Sequence, residues 1–145
     1  MREGRCVMVR NERKGMTAGE IADKICEIAP EALQETWDNS GFLAGSRKHP
    51  VTKVLTCLDL DFSVLKEAER LGCEMIVTHH PLLFSGIKKL TDEDPAGRLI
   101  RQLVQHDIAV YSCHTPFDKT KGGNNDVLAG VLKLSNVRNL AGEKV

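Results

Sequence analysis

At 145 residues with 41% hydrophobic content, the chain is long enough to bury one substantial core and too short for two domains to be expected. Twenty basic residues balance twenty acidic ones, so no global field favours an anionic membrane, and nucleic-acid binding is disfavoured. No apolar run approaches the roughly 20 residues of a membrane span, and the N-terminus lacks the apolar segment of a signal peptide.

The five cysteines, Cys6, Cys26, Cys57, Cys73 and Cys113, are odd in number and form no CxxC pair, which argues against a disulfide framework or a zinc knuckle. Reduced thiols in a cytoplasmic protein are the expectation.

The first fifteen residues, MREGRCVMVRNERKG, are charge-rich without periodicity and read as a disordered leader, with one α/β domain over residues 16–145. From Thr17, TAGEIADKICEIAP offers a threonine cap with Glu20 three residues on, then Ile21, Ile25 and Ile28 at helical spacing, and a stop at Pro30. Residues 35–50, ETWDNSGFLAGSRKHP, have the composition of a loop that Trp37, Phe42 and Leu43 would pin to the core.

VTKVLTCLDL reads as a strand, DFSVLKEAERLG as a helix with Phe62, Leu65, Ala68 and Leu71 on one stripe and Gly72 at its end, and CEMIVT as a second strand. After a loop, Asp94 and Pro95 look like the cap and first residue of a helix carrying Leu99, Ile100, Leu103 and Val104; the strand IAVYSC follows. The loop HTPFDKTKGGNN then leads into a short helix, DVLAGVLKL, that Asn124 or Asn125 could cap. This alternation is the grammar of an α/β fold with a largely parallel sheet flanked by helices.

Open parallel sheets place their ligands just past the carboxyl ends of the strands. His79 and His80 follow the strand CEMIVT, and His114 and Asp118 follow IAVYSC, so four candidate metal ligands converge on one edge. Pro116 argues against a helix between His114 and Asp118 and for a loop that wraps an ion. Imidazoles with a carboxylate suit zinc, manganese, iron or nickel, and do not suit calcium, which takes oxygen throughout. Adjacent side chains in extended backbone point to opposite sides, so His79 and His80 suggest two ions sharing a carboxylate such as Asp118, an arrangement that activates water for hydrolysis. The bland alternative is a His-His pair that caps a strand through backbone hydrogen bonds. Cys113 should face the core, and His49 and His106 read as surface residues without partners. GGNN lacks the lysine of a phosphate-binding loop and reads as a turn and helix cap.

WDNSGFLAG at 37–45, VTHHPLLFSG at 77–86, and HTPFD with GGNNDVLA within 114–129 resemble the N-terminal half of the Ngg-interacting factor three-like family, also labelled GTP cyclohydrolase 1 type 2 homologues. The resemblance runs from about residue 17 to about residue 137. It implies the N-terminal lobe of an α/β family fold, two divalent metals per site, and a homo-oligomer in the form of a hexameric ring. By the same resemblance His79 and His80 match paired metal ligands, Asp118 a carboxylate that binds or bridges the metals, and His114 a site histidine. Family members continue into a second lobe that supplies a late His and a Glu, and this sequence stops at Val145 without them. It therefore reads as truncated, with half of the site and doubtful metal occupancy. Three imidazoles and a carboxylate would set about one negative charge against four positive ones.

Two functions fit. One is a metal-dependent hydrolase of the cyclohydrolase or phosphoesterase type, whose purine-nucleotide substrate would stack on Trp37 or Phe42. The other is a non-catalytic metal-binding scaffold or regulatory interaction protein, a reading that the family's interaction-derived name keeps open.

Overall fold

The computed structural model describes the backbone of residues 5–8 and the whole of residues 15–138. Its centre is three parallel strands, β5 (Lys53–Cys57), β6 (Met75–Thr78) and β7 (Ala109–Ser112), paired in register so that Cys57, Thr78 and Ser112 form one row at their carboxyl ends. Antiparallel strands close both edges: β1 (Arg5–Met8) lies beside β5, and β3 (Gly41–Ala44) lies beside β7 with a bulge between Phe42 and Ala44. The sheet is therefore mixed, parallel only where helices connect its strands. A second small ladder pairs β2 (Met16–Thr17) with β4 (Pro50–Val51).

Alternation along the central strands sends neighbouring side chains to opposite faces, and each face has its own core. Leu55, Ile76 and Val110 pack with α2 (Phe62–Leu71) and α3 (Pro95–Gln105) through Val64, Leu65, Ala68, Leu99 and Leu103. Val54, Met75, Ala109 and Tyr111 pack on the other face with α1 (Ala18–Ile28), whose Ala18 and Ala22 let the helix approach closely. These are the three layers that the sequence grammar predicts.

The expected helix signals are present. Thr17 and Glu20 form a reciprocal capping box and Asp94 caps α3 ahead of Pro95, while Asp61, not singled out in the sequence, caps α2 by accepting from the N–H groups of Ser63 and Val64. Gly72 ends α2 at φ 66°, a left-handed conformation that a side chain would strain.

Several expectations need correction. Arg5–Met8 forms a strand inside the segment read as a leader, because the open edge of β5 supplies a ladder that local composition does not reveal. The rest of that leader, residues 1–4 and 9–14, lies outside the described residues, as do residues 139–145. Residues 35–50 contain β3, whose pairing with β7 overrides a loop-like sequence. Pro116 does not prevent a helix: it sits in the first turn of α4 (Thr115–Lys119), where its missing N–H would have had no partner. The last helix, α5 (Asn124–Val131), is capped by Gly123 and not by an asparagine. A Cβ at Gly123 would stand 1.9 Å from the Phe117 carbonyl oxygen, so that close approach demands glycine. Val104 is exposed while Leu99, Ile100 and Leu103 are buried. Among the described residues no helix is long and apolar enough to cross a membrane.

Candidate metal centre

His79, His80 and His114 meet just beyond the row formed by Cys57, Thr78 and Ser112. One ring nitrogen from each lies within 4.8 Å of the others, so the three could hold a metal ion. Backbone bonds continue the sheet into the site: the N–H of His79 donates to the Cys57 carbonyl, that of His80 to the Leu58 carbonyl, and that of Cys113 to the Thr78 carbonyl.

The chain bends at His79 and His80, so the premise that they point apart along an extended strand does not hold. The bend is fixed from inside. The buried Thr78 hydroxyl donates to the His80 carbonyl at 2.8 Å, and its single proton being used there, the Ser112 hydroxyl donates to it across 2.6 Å. The two rings consequently face one cluster, with centroids 5.0 Å apart.

Each imidazole has its Nδ1 held by a different acceptor. His79 Nδ1 is 3.1 Å from the Cys113 carbonyl oxygen, His80 Nδ1 is 2.7 Å from Asp59, and His114 Nδ1 is 3.0 Å from Asp38. A carbonyl can only accept, which assigns the proton of His79 to Nδ1; the carboxylates do the same for the other two rings. A neutral ring protonated at Nδ1 keeps on Nε2 the lone pair that a metal requires, the support that ligating histidines usually have behind them.

Asp38 is the residue that sequence reading missed. The antiparallel register of Gly41 with Ser112 lays the residues before β3 beside those after β7, and so brings Asp38 to His114. Its side chain is shut off from solvent. Burial pushes its carboxyl up, but hydrogen bonds from Thr115, His114 and Ser40 and from the Asn39 backbone outweigh this and bring it down to about 2. The adjacent Ser40 hydroxyl accepts the His114 N–H at 3.1 Å. A signal existed in the sequence, since Asp38 stands inside the motif WDNSG, but nothing local distinguishes it from a turn aspartate.

Asp118 lies at the margin of the cluster, 3.7 Å from His79 Nε2. Its Oδ1 accepts from Asn124 Nδ2 at 3.0 Å, and its carbonyl accepts from Asn125 Nδ2 at 2.9 Å. The asparagines of GGNN thus tie α5 to the site-bearing turn, while Gly122 and Gly123 provide the turn and cap that the sequence reading assigned to the motif. Cys113 belongs to the core as expected, and burial above all pushes its thiol up to about 11. His49 and His106, expected to lack partners, pair with Asp107 at 2.8 Å and Glu69 at 3.2 Å, away from the trio. Phe42 packs against the α1-side core and so pins its segment as expected, whereas Trp37 is 60% exposed and does not.

A family model described as Duf34/NIF3 (NGG1p interacting factor 3) matches residues 16–144. The chain belongs to this family. A relative from Clostridium perfringens named GTP cyclohydrolase 1 type 2 homolog is 44% identical over 117 residues, which cover 81% of this chain and 45% of that protein. A Bacillus subtilis protein of the same name is 37% identical over 128 residues, covering 88% of this chain and 34% of that one. Among solved structures, a Bacillus cereus protein related to NIF3 superposes with a TM-score of 0.81 at 36% identity, covering 85% of this chain and 34% of that one. Reduced HcgD from Methanocaldococcus jannaschii superposes at 0.78, also at 36% identity, covering 85% and 49%. The chain thus spans less than half the length of each of these proteins and matches a partial, N-terminal region of the family fold.

Proposed function

We propose that His79, His80 and His114, with Asp118 beside them, are the protein ligands of a metal centre in a metal-dependent hydrolase that acts on a nucleotide-like substrate. The observation that carries this reading is the set of three imidazoles that each bring a ring nitrogen within 4.8 Å of the others while an acceptor stands at each Nδ1. Nitrogen donors with one carboxylate fit zinc, manganese, iron or nickel. Such a metal would act as a Lewis acid that activates water for attack on a C–N or phosphate-ester bond. The chain's own residues hold and orient: Asp38, Asp59 and the Cys113 carbonyl fix the tautomers, and Asn124 aims Asp118. The family resemblance extends the proposal to two ions, with Asp118 shared between them, and the cyclohydrolase names of the relatives support the substrate class.

A cytoplasmic homo-oligomer is part of the same reading. Cys26, Cys57 and Cys113 form no disulfide among the described residues, which supports the compartment, and the exposed Val127, Leu128 and Val131 of α5 with Leu132 at its end support association.

The test is metal analysis of the purified protein and its His114→Ala variant, with a GTP-turnover and phosphoesterase screen on the same samples. Bound divalent metal that His114→Ala abolishes, together with turnover, is the expected outcome. Absence of metal from the unaltered protein sinks the metal centre; metal without turnover sinks the hydrolase and leaves the metal-binding scaffold.

A further inference from the structure

Two large aromatic side chains stand at the rim of the trio and are open to solvent, Trp37 at 60% and Phe84 at 53% exposure. Each meets the same imidazole nearly at right angles: Trp37 lies 5.8 Å from the His114 ring centroid at 73°, and Phe84 lies 5.7 Å from it at 88°. A perpendicular contact engages at most one face of each aromatic ring, so each keeps a flat face for something else. Neither ring belongs to the two apolar clusters that form the core.

Their placement is built. Trp37, Asp38, Asn39 and Ser40 are consecutive, and each has a task at this corner. Trp37 contacts the His114 ring, Asp38 accepts from its Nδ1, and Ser40 accepts from its backbone N–H. Asn39 Nδ2 donates to the Leu83 carbonyl at 2.5 Å, which fastens the loop bearing Phe84 to the segment bearing Trp37. One stretch of chain therefore aims a site imidazole and sets two exposed aromatic rings on either loop beside it.

We infer that Trp37 and Phe84 are a recognition rim that receives a planar heteroaromatic ring, a nucleobase or a heterocycle like one, and delivers it to the histidine trio. The inference rests on the metal-centre reading and sharpens it by naming which part of the substrate the protein reads. Phenylalanine offers only a π-face and an edge, and tryptophan adds a single N–H, so the rim selects flat rings by stacking and is tolerant of their substituents. Phosphate groups contribute nothing to that contact. A nucleoside should accordingly depend on the rim, and a sugar phosphate without a base should not.

Trp37 is the only tryptophan in the chain, so its fluorescence reports on this corner without background. The experiment titrates the metal-loaded protein with guanosine and, separately, with ribose 5-phosphate, reading emission and calorimetric affinity, and repeats both with Phe84→Ala and Phe84→Tyr. Guanosine is expected to change Trp37 emission saturably. Phe84→Ala should weaken guanosine about tenfold, Phe84→Tyr should keep most of the affinity, and neither should alter ribose 5-phosphate binding or metal content. Failure of guanosine to bind protein that carries its metal overturns the rim, as does an equal effect of Phe84→Ala on both ligands. A change of assembly state by light scattering with guanosine affinity unaltered assigns Phe84 to an interface and also overturns it. If no form binds metal, the metal-centre reading fails by itself. Guanosine calorimetry on the metal-free protein then decides the rim, upheld by a Phe84-dependent affinity and overturned by its lack.

Discussion

The two ends of the parallel strands are each organised around one carboxylate that collects several donors, and they do different things with it. At the amino end, Glu74 accepts from the N–H groups of Thr52 and Lys53 and from the Thr52 hydroxyl, so that every bond ties the entry of β5 to the entry of β6. At the carboxyl end, Asp38 accepts from Thr115 and Ser40 in the same way and adds an imidazole, His114. The first carboxylate is a latch and the second is a latch that also sets the tautomer of a candidate ligand. Multiple hydrogen bonding lowers the carboxyl in both cases, against the opposing effect of burial. Its presence marks an organised corner, and only the identity of the partner marks a functional one.

Changing Asp38 should break the comparison most severely. Asp38→Asn puts an amide where an acceptor for donors from four residues stood, and removes the charge that holds the proton on His114 Nδ1. We expect metal affinity to fall by roughly 10 to 100-fold, with a stability loss on the order of 1–3 kcal/mol. Metal titration and urea unfolding of the same preparation check the two effects; unchanged metal affinity would reduce Asp38 to a second Glu74.

Glu74→Gln should give the smaller, purely structural effect, a loss of about 1 kcal/mol in urea unfolding with metal affinity unchanged. The pH dependence sharpens the distinction. Glu74 is lowered from its ordinary 4.5, so its contribution to stability is complete above that value and is lost as pH falls through the lowered folded pKa. The unaltered protein should therefore lose stability on acidification below about 4.5, and Glu74→Gln should flatten that part of the curve.

His106→Ala should do least. Its contact with Glu69 is at the surface, with half of the histidine side chain exposed. Removing it should shift stability by no more than about 0.5 kcal/mol and leave metal content unaltered, which unfolding and metal analysis would show. A large effect would mean that the histidines do not divide cleanly into those at the carboxyl edge and those elsewhere.

The sequence by itself determined α1, α2, α3, α5 and the central strands, because caps and apolar periodicity act within a few residues. Thr17 with Glu20, Asp94 with Pro95, and Gly72 all stand where local signals put them. It also determined which edge gathers His79, His80, His114 and Asp118, since parallel βα connections bring strand ends together whatever the detailed packing. The tertiary structure decided what local chemistry does not encode. It assigned β1 and β3 to sheet edges, turned His79 and His80 toward one cluster through the Thr78 and Ser112 hydroxyls, and placed a helical turn over Pro116. Above all it joined Asp38 to His114 across 76 positions of sequence, because an antiparallel strand register, and no motif spacing, brings those two residues together.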